Sequence, residues 1–466
     1  MTNLTIPTIT NGELTGEGLQ AARNVSLGLS YHASAPKWGA DPTGTFDSTP
    51  AFKAMFADIR SKYDKGYGGA TIYVAPGTYL IEPGVLDIPG RTVILGAPKN
   101  TVFVPYTKNI PSGGYSEPTA LFSIGSWTVT SGGVNGDQYR MRSGLENIVI
   151  KGVWKYDWQA QTGIIKNLTG ILFNTYLTSS PQNPDAYHHL ENIEIWDVDF
   201  GILLIGPDDQ GIKANNIHID RTNSAGLIVG RPLWHPQQIS SSGADNHFTN
   251  VDIHGCNKGG GDFGGLELYT SNCVFVACKV WYVQRTITDN MSADDSGANV
   301  DRFWRIRHGC GIYVRGSRNR FDACEVQEVG GACWVIAGSM NTFSSCNADS
   351  ASVFSQAGTV TDEKNKVSTL MNTAPGFYIT NWAHDLTMNS CQVYSMHGAG
   401  HSHKWGYYIE SYSDTMSING CRATHLSSPD LAVSIPSKFA KAGDVYIQVN
   451  NSIYTDHVTK TITLAP

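Results

Sequence analysis

The stretch that decides the fold is LENIEI (190–195), in which a bulky apolar residue precedes two polar residues and an apolar alternation follows. The pattern recurs with polar or small residues at its second and third positions. Its nine copies are LENIVI (145–150), LENIEI (190–195), ANNIHI (214–219), FTNVDI (248–253), FVACKV (275–280), FDACEV (321–326), FSSCNA (343–348), MNSCQV (388–393) and INGCRA (418–423). Such self-similarity is typical of a repeat protein, which lengthens without enlarging the cross-section of its core.

A second kind of short strand precedes most copies and usually begins with glycine. Its members are GILF (170–173), GILL (201–204), GLIV (226–229), GLEL (265–268), GIYV (311–314), ACWVI (332–336), GFYI (376–379) and GYYI (406–409). Two or more short strands per repeat predict a parallel β-solenoid whose coils stack about 4.8 Å apart. The variable connections are expected to be loops, at 175–189, 230–246, 256–264, 283–310, 351–375 and 397–405.

Composition agrees with such a chain. Of 466 residues, 49 are glycine, 41% are hydrophobic and only 16% are charged. The apolar share excludes a disordered chain, and the few charges disfavour long surface helices. Length alone favours two or three domains, whereas a solenoid places the residues in one elongated body. The net charge of −7, without a basic run, argues against nucleic acid as a partner.

The cysteines and the chain start indicate where the protein is made. The opening residues carry neither the basic nor the apolar segment of a secretory signal, and no stretch is apolar and long enough to span a bilayer. Nine cysteines without a CxxC pair favour synthesis in a reducing cytoplasm. Their spacing predicts small core residues and no metal site, and no cofactor is expected. Five of them share the fourth repeat position: Cys278, Cys324, Cys346, Cys391 and Cys421.

Two consecutive stretches near the chain start carry a resemblance to a known family. WGADPTGTFDSTPAFKAMFADI (38–59) and GGATIYVAPGTYLI (68–81) resemble the opening of pectate-lyase-like proteins, especially bacteriophage tailspikes and tail-borne depolymerases. The residues that fit the family pattern are Gly39, Ala40, Asp41, Gly44, Asp47, Gly68, Gly69, Pro76, Gly77 and Tyr79.

The resemblance implies a right-handed parallel β-helix in a homotrimer that binds and cleaves a bacterial surface polysaccharide. It also implies attachment to a phage tail or baseplate protein through the N-terminus. The protein would then be made in the host cytoplasm, reside in the virion tail and act at the bacterial cell surface.

Three regions are expected. Residues 1–35 form an N-terminal arm or adaptor, 36–430 the all-β parallel β-helix, and 431–466 C-terminal strands. A capping helix is predicted over 49–62, with Thr49 as its cap and Pro50 at its first position. Its apolar face would cover the open end of the solenoid, which otherwise exposes apolar side chains and strand edges.

Alternation predicts which repeat residues face outward. When the fourth position points inward, the fifth and seventh point out. These positions are rich in aromatic and polar side chains suited to a saccharide groove, and the substrate-binding candidates among them are Lys279, Trp281, Gln327, His254 and Tyr394. In the glycine-initiated strands the outward column is Leu172, Leu203, Ile228, Glu267, Tyr313, Trp334, Tyr378 and Tyr408. The apolar first members suggest a subunit contact or burial under loops, whereas Tyr313 and Arg315 could extend a sugar platform or an interface.

The catalytic candidates are Glu325, Asp349, Asp252 and Glu267. Glycoside hydrolysis needs two carboxyl groups across one bond, about 6.5–9.5 Å apart in inverting enzymes. Coil spacing places Asp252 and Glu325 two coils apart in one column, and Glu325 and Asp349 roughly 8 Å apart. A polysaccharide lyase remains an alternative, because Lys279, His254 and Arg315 could bind a uronate carboxylate. A non-catalytic glycan-binding spike is a further alternative.

Other groups carry weaker signals. Asp208 and Asp209 in GPDDQG resemble the paired aspartates of polygalacturonases, but a turn explains them better because the companion motifs are missing. Asp262 flanks a glycine-rich connection near Glu267. The long loops contain Asp294, Asp295 and Asp301, and also His401 and His403, with too few ligands at suitable spacing to define a metal site.

Overall fold

In the computed structural model the chain is almost entirely β-structure, arranged as stacked coils of short parallel strands. The structure describes residues 8–10, 13–15, 28–63, 69–107, 118–125, 142–152, 167–175, 186–231, 243–259, 263–287, 309–351, 355–357, 374–380, 382–395, 406–409, 416–423, 433–434, 447–450 and 453–454. The predicted all-β parallel β-helix is therefore confirmed.

The glycine-initiated strands form one continuous parallel sheet, called the first sheet. Its strands, in order along the stack, are Asp87–Ile88, Thr119–Ile124, Leu168–Phe173, Phe200–Leu204, Leu227–Val229, Leu266–Leu268, Ile312–Val314, Trp334–Ile336, Phe377–Ile379, Tyr407–Ile409 and Val433–Ser434. Glycine at the strand start is required sterically. A Cβ on Gly201, for example, would lie 2.4 Å from the Gly226 carbonyl oxygen of the next coil.

Two further parallel sheets meet at a corner in each coil, and the nine copies of the repeated pattern contribute most of their strands. The second sheet contains Leu29–His32, Ala70–Tyr73, Thr92–Leu95, Val274–Val276, Arg320–Asp322, Thr342–Ser344, Leu386–Asn389, Met416–Asn419 and Ile447–Asn450. The third sheet contains Thr43–Asp47, Gly77–Ile81, Thr101–Pro105, Lys279–Trp281, Glu325–Gln327, Asn347–Asp349, Gln392–Tyr394, Arg422–Ala423 and Ile453–Tyr454. Four longer strands run through both: Gly144–Lys151, His189–Trp196, Lys213–Asp220 and His247–His254.

The corner falls on the third residue of each copy, which has a positive φ. These residues are Asn147, Asn192, Asn216, Asn250, Ala277, Ala323, Ser345, Ser390 and Gly420. Asparagine tolerates this left-handed conformation better than most residues. Asn192 donates its side-chain N–H to Asn147 Oδ1 at 2.9 Å, and Asn216 donates in the same way to Asn192. Asn250 continues this amide ladder by donating to Asn216.

The core is filled by residues that repeat in register from coil to coil. Phe248, Phe275, Phe321 and Phe343 stack face to face with centroid spacings of 4.7, 4.9 and 5.2 Å, close to the coil spacing. All nine cysteines are buried, including the five of the fourth position. Within the described residues no group of three or more His, Cys, Asp or Glu side chains could hold a metal ion.

Within the described residues, the α-helix α1 (Thr49–Tyr63) covers the N-terminal end of the core. Its Phe52, Met55, Phe56 and Ile59 are at most 2% exposed, as the apolar spacing predicted. Phe52 packs against Phe103 with ring centroids 5.7 Å apart. The predicted cap is wrong, because Thr49 Oγ1 accepts the Glu82 N–H and Asp47 Oδ1 accepts the Thr49 N–H. No helix in the described ranges is long and apolar enough to cross a membrane.

The solenoid extends beyond both expected boundaries. Leu29–His32 pairs with Ala70–Tyr73, so the first coil begins inside the stretch expected to be an arm. Ile447–Asn450 and Ile453–Tyr454 pair in parallel with the preceding coil, so the ladders continue past residue 430. Two short pairs lie outside the three sheets: Thr8–Thr10 with Glu13–Thr15, antiparallel, and Arg285–Ile287 with Ser355–Ala357, parallel.

Candidate active site

The outward face of the third sheet carries two parallel columns of polar and aromatic side chains. Backbone register aligns Glu194, His218, Asp252, Lys279 and Glu325 on five successive coils, and this set is called the acid–base column. Acidic and basic side chains alternate along it. Two residues further along each strand lies the aromatic column, which consists of Trp196, Asp220, His254, Trp281, Gln327, Asp349 and Tyr394.

Asp252 is the central residue of the acid–base column. Its Oδ1 accepts the indole N–H of Trp281 at 2.7 Å, and its Oδ2 lies 3.2 Å from His218 Nδ1. Burial disfavours the charge on Asp252, but the hydrogen bonds and charge of His218 and the bond from Trp281 outweigh it, so the pKa is lowered. Asp252 is therefore an ionised carboxylate at neutral pH, with 38% of its side chain exposed.

His218 occupies the coil before Asp252. Its ring lies 5.1 Å from that of Trp196, which donates its indole N–H to Glu194 at 3.3 Å. Burial disfavours the imidazolium, but the hydrogen bond to Asp252 and the charges of Asp252, Asp220 and Glu194 raise the pKa of His218. The imidazole is thus a cationic partner for Asp252 over a wider pH range than a free histidine.

Glu325 lies two coils beyond Asp252. Lys279, on the coil between them, places its Nζ 3.7 Å from Glu325 Oε2. The phenol of Tyr394 donates to Glu325 Oε1 at 3.3 Å, and burial together with the Glu325 charge raises the pKa of Tyr394 to about 12. Glu325 is partly exposed, at 29% of its side chain, so it is accessible from solvent.

His254 belongs to a neighbouring, more buried cluster. Its ring stacks on Trp281 with centroids 4.3 Å apart, and its Nδ1 lies 2.8 Å from Asp220 Oδ1. Arg221 binds Asp220 at 3.1 Å and Asp197 at 2.6 Å, and its guanidinium lies over the Trp196 ring. Asp220 is only 4% exposed. This cluster holds the aromatic column in place and leaves little of Asp220 for a ligand.

Two predicted catalytic carboxylates are not accessible, contrary to the sequence-based expectation. Asp349 is 0% exposed, and its Oδ1 accepts the Ser350 hydroxyl at 2.6 Å. Glu267 is also 0% exposed, and it accepts the Gly264 N–H at 2.9 Å and the Tyr269 phenol at 2.7 Å. Neither carboxyl group can flank a glycosidic bond in this conformation, whereas the other two predicted candidates, Asp252 and Glu325, are partly exposed.

The first sheet differs from the expected platform in several positions. Tyr313 is 1% exposed, and Leu172, Leu203 and Ile228 are buried within the single chain. Trp334 pairs with Ile312 in register, so it points into the core and Val335 takes the outward position. Arg315 lies on this side of the molecule, with its guanidinium 4.7 Å from the Trp382 ring. Tyr313 and Arg315 therefore do not join Asp252 and Glu325 in the third sheet.

The weaker candidates divide into structural residues and residues outside the described ranges. Asp209 is fully buried and accepts the N–H groups of Thr175 and Gly206, at 2.9 and 2.6 Å, and burial raises its pKa to about 7. It thus stabilises a turn. Outside the described residues lie Asp262, Asp294, Asp295, Asp301, His401 and His403.

Glu194, His218 and Trp196 belong to the outward face that the sequence predicts as a saccharide groove, although they are not among the individual candidate residues. The alternation that identified Asp252 and Trp281 also marks these three as outward-facing. Glu194 and His218 align with Asp252 because the copies pair in register from coil to coil.

Sequence comparison identifies the family. The family described as Rhamnogalacturonase A/epimerase, pectate lyase-like, matches residues 34–297. The match covers more than half of the chain, which therefore belongs to this family of parallel β-helix proteins. Among curated proteins no match was found.

Solved structures show the same fold at low sequence identity. The A-module of mannuronan C-5 epimerase AlgE6 from Azotobacter vinelandii has a TM-score of 0.52 at 12% identity, over 91% of this chain and 99% of that one. The enzymatically active domain of tailspike protein 2 from bacteriophage CBA120 has a TM-score of 0.58 at 12% identity, over 95% of this chain and 54% of that one. At this level of sequence identity both matches show a similar fold and nothing more.

Proposed function

We propose that the protein cleaves a bacterial surface polysaccharide by hydrolysis, in the manner of a phage tailspike depolymerase. The observation that carries this proposal is the pair Asp252 and Glu325. Both carboxylates are partly exposed, lie two coils apart in one column, and accept a hydrogen bond from an aromatic side chain. Their backbones are about 10 Å apart, and the reach of the two side chains allows the carboxyl separation of about 6.5–9.5 Å that an inverting glycosidase uses.

The environments of the two carboxylates suggest their roles. Asp252, with its lowered pKa, is the base that removes a proton from water as the water attacks the anomeric carbon. Glu325 is the acid that gives its proton to the glycosidic oxygen as the carbon–oxygen bond breaks. Lys279 lies between them and can donate a hydrogen bond to a sugar oxygen.

The aromatic column supplies the surface against which a sugar can pack. Trp281 forms a continuous aromatic patch with His254 and Tyr282, with ring centroids at most 5.0 Å apart. Aromatic faces with polar groups at their edges suit a ligand that has both C–H faces and hydroxyl groups. Gln327, next to Trp281 in register, adds an amide that can bind hydroxyls.

A lyase acting on a uronic-acid-containing glycan is the second candidate. His218 and Lys279 flank Asp252 on the neighbouring coils, which places cations beside a base. A lyase needs this arrangement to neutralise the uronate carboxylate while a proton is removed from the ring.

The test is incubation with a panel of purified capsular, O-antigen and exopolysaccharides, followed by mass spectrometry of the products. Hydrolysis predicts products that have gained water. Asp252→Asn and Glu325→Gln should each lower the rate by about 10²–10⁴-fold, the usual contribution of general acid–base catalysis. Asp322→Asn is the matched control, because Asp322 lies on the same coil as Glu325 but in the second sheet.

The other outcomes separate the alternatives. Products with a conjugated double bond would support the lyase. Binding of a polysaccharide without any shortening would support a non-catalytic spike. Full activity in Glu325→Gln would contradict the proposed pair.

The assembly is part of the same proposal. The fold shared with the phage tailspike supports a homotrimer in the virion tail that is attached through the N-terminal residues. Native mass spectrometry of the full chain should show three copies, whereas a stable monomer at micromolar concentration would contradict the trimer.

A further inference from the structure

A cleft of about 460 Å³ lies beside the acid–base column, at the corner between the second and third sheets. It shares Glu194, His218 and Asp252 with that column. The cleft extends from these residues towards the N-terminal coils, where Pro98 and Lys99 line it. It is thus continuous with the proposed catalytic pair through Asp252, but most of its lining lies outside that pair.

One wall of the cleft is a loop that the later coils lack. Residues 96–100 connect Thr92–Leu95 to Thr101–Pro105, whereas Gly144–Lys151 and the next three coils turn the same corner without interruption. Gly96 donates its N–H to the Glu146 carbonyl at 2.9 Å, and a Cβ on Gly96 would lie 2.6 Å from the Asn147 carbonyl oxygen. The loop is therefore packed directly onto the corner, and Lys99 Nζ reaches within 3.9 Å of Glu194 Oε1.

The floor of the cleft is the amide ladder. Asn192, Asn216 and Asn250 line it on three successive coils. Each rung of the ladder uses one N–H and one oxygen lone pair, whereas a side-chain amide has two of each. The corner therefore presents paired donors and acceptors at the coil spacing of about 4.8 Å, a pattern suited to the hydroxyl groups of a sugar chain.

The charges around the cleft are balanced. Glu194 and Asp252 are acidic, while Lys99 and His218 are basic, and the two pairs are within 3.9 and 3.2 Å. The carboxylates of a uronic-acid chain would be repelled by Glu194 and Asp252. The two cations that could offset this repulsion, Lys99 and His218, already pair with those residues. An uncharged chain adds no charge to these two ion pairs, and its hydroxyl groups can bind to the amides of the ladder.

We propose that this cleft binds an uncharged, hydroxyl-rich segment of the polysaccharide, on the N-terminal side of Asp252 and Glu325. The glycan chain then lies parallel to the axis of the β-helix and crosses the catalytic pair at one end of the cleft. This inference rests on the proposed function for its substrate, but its binding claim can be tested without cleavage.

The test fills the cleft with a large side chain. Pro98→Trp adds bulk at a residue that lines the cleft, and Asn100→Trp adds the same bulk in the same loop at a residue that does not line it. The probes are an array of purified neutral and uronate-containing bacterial polysaccharides, with oligosaccharides of graded length made from them by partial acid hydrolysis. Both variants are compared with the wild-type chain for binding and, where cleavage occurs, for kcat and KM.

We expect Pro98→Trp to weaken binding of neutral oligosaccharides by about tenfold or more. KM for the polysaccharide should rise by a similar factor while kcat stays within about twofold, because Pro98 lines the cleft away from the catalytic pair and takes no part in bond breaking. Asn100→Trp should match the wild type in both measurements.

The outcomes distinguish this inference from the proposed function. If the wild type cleaves a polysaccharide and the two variants behave alike, the cleft assignment is wrong and the proposed function stands. A second outcome is that no polysaccharide is cleaved, while neutral glycans bind to the wild type and not to Pro98→Trp. In that case the cleft assignment stands and the proposed function is wrong. Binding restricted to uronate-containing probes, or no binding at all, overturns the cleft assignment.

Discussion

Trp281 donates its indole N–H to Asp252 Oδ1 at 2.7 Å from the next coil of the stack. The same ring is stacked on His254, so the indole joins the acid–base column to the aromatic column. A sugar ring packed on Trp281 would therefore lie next to the Asp252 carboxylate. The acid–base column and the aromatic column are therefore in direct contact at Asp252 and Trp281.

Removal of the indole N–H should impair catalysis more than folding. Trp281→Phe keeps an aromatic face but loses a hydrogen bond to a charged group, worth about 1.5–3 kcal/mol. If that bond orients Asp252 for the reaction, kcat should fall by about 10- to 100-fold with an unchanged circular dichroism spectrum.

The matched control is Trp196→Phe, because the indole of Trp196 makes the longer bond to Glu194 at 3.3 Å. Its kcat should change less than that of Trp281→Phe. An equal loss in both variants would show that Asp252 does not depend on its indole partner.

The amide ladder should contribute measurably to stability. Asn216 has φ of 55° and makes ladder bonds to Asn192 and Asn250. Asn216→Ala loses both bonds, at about 1 kcal/mol each, and places an alanine in the left-handed region. Asn216→Gly loses the same bonds but adopts a positive φ without a steric penalty.

Thermal unfolding should therefore rank the wild type above Asn216→Gly and Asn216→Gly above Asn216→Ala. The reverse order of the two variants would mean that the corner conformation carries no strain for alanine.

The pair of His218 and Asp252 predicts a pH window for stability. The pKa of His218 is raised in the folded state, so its contribution is fully present below the ordinary histidine value of about 6.5 and is lost as pH rises through the folded pKa. The pKa of Asp252 is lowered, so its contribution is present above about 3.9 and is lost as pH falls through the folded pKa.

The difference in Tm between the wild type and His218→Asn should accordingly be largest between about pH 4 and pH 6.5 and shrink at higher pH. A difference that grows from pH 6.5 to pH 9 would contradict the His218–Asp252 ion pair.

The fold was largely readable from the sequence because its determinants are local and repeated. In each coil the alternation of apolar and polar residues identifies the side chains that point inward. The apolar face of the capping helix follows in the same way from the helical spacing of its apolar residues. The left-handed corner was missed, although asparagine recurs at the third position of four consecutive copies, and its preference for positive φ was the available signal.

The site was only partly readable, because alternation gives the direction of a side chain but not what covers it. Asp349 and Glu267 lie in outward columns, yet both are buried by residues that pack over the sheets. Trp334 was assigned outward because ACWVI lacks the initial glycine that sets the register elsewhere. The ion pairs and hydrogen bonds of Asp252 and Glu325 depend on neighbours from other coils, up to 69 residues away in sequence.

The stereochemistry of cleavage is the most direct test of the proposed pair of Asp252 and Glu325. The first product should be followed by proton NMR at its new reducing end, immediately after the enzyme is added to a polysaccharide that it cleaves. Two carboxylates two coils apart leave room for a water molecule between them and the sugar. The new reducing end of the product should therefore have an inverted anomeric configuration. A retained configuration would require carboxyl groups about 5–5.5 Å apart and would contradict the assignment of Asp252 and Glu325.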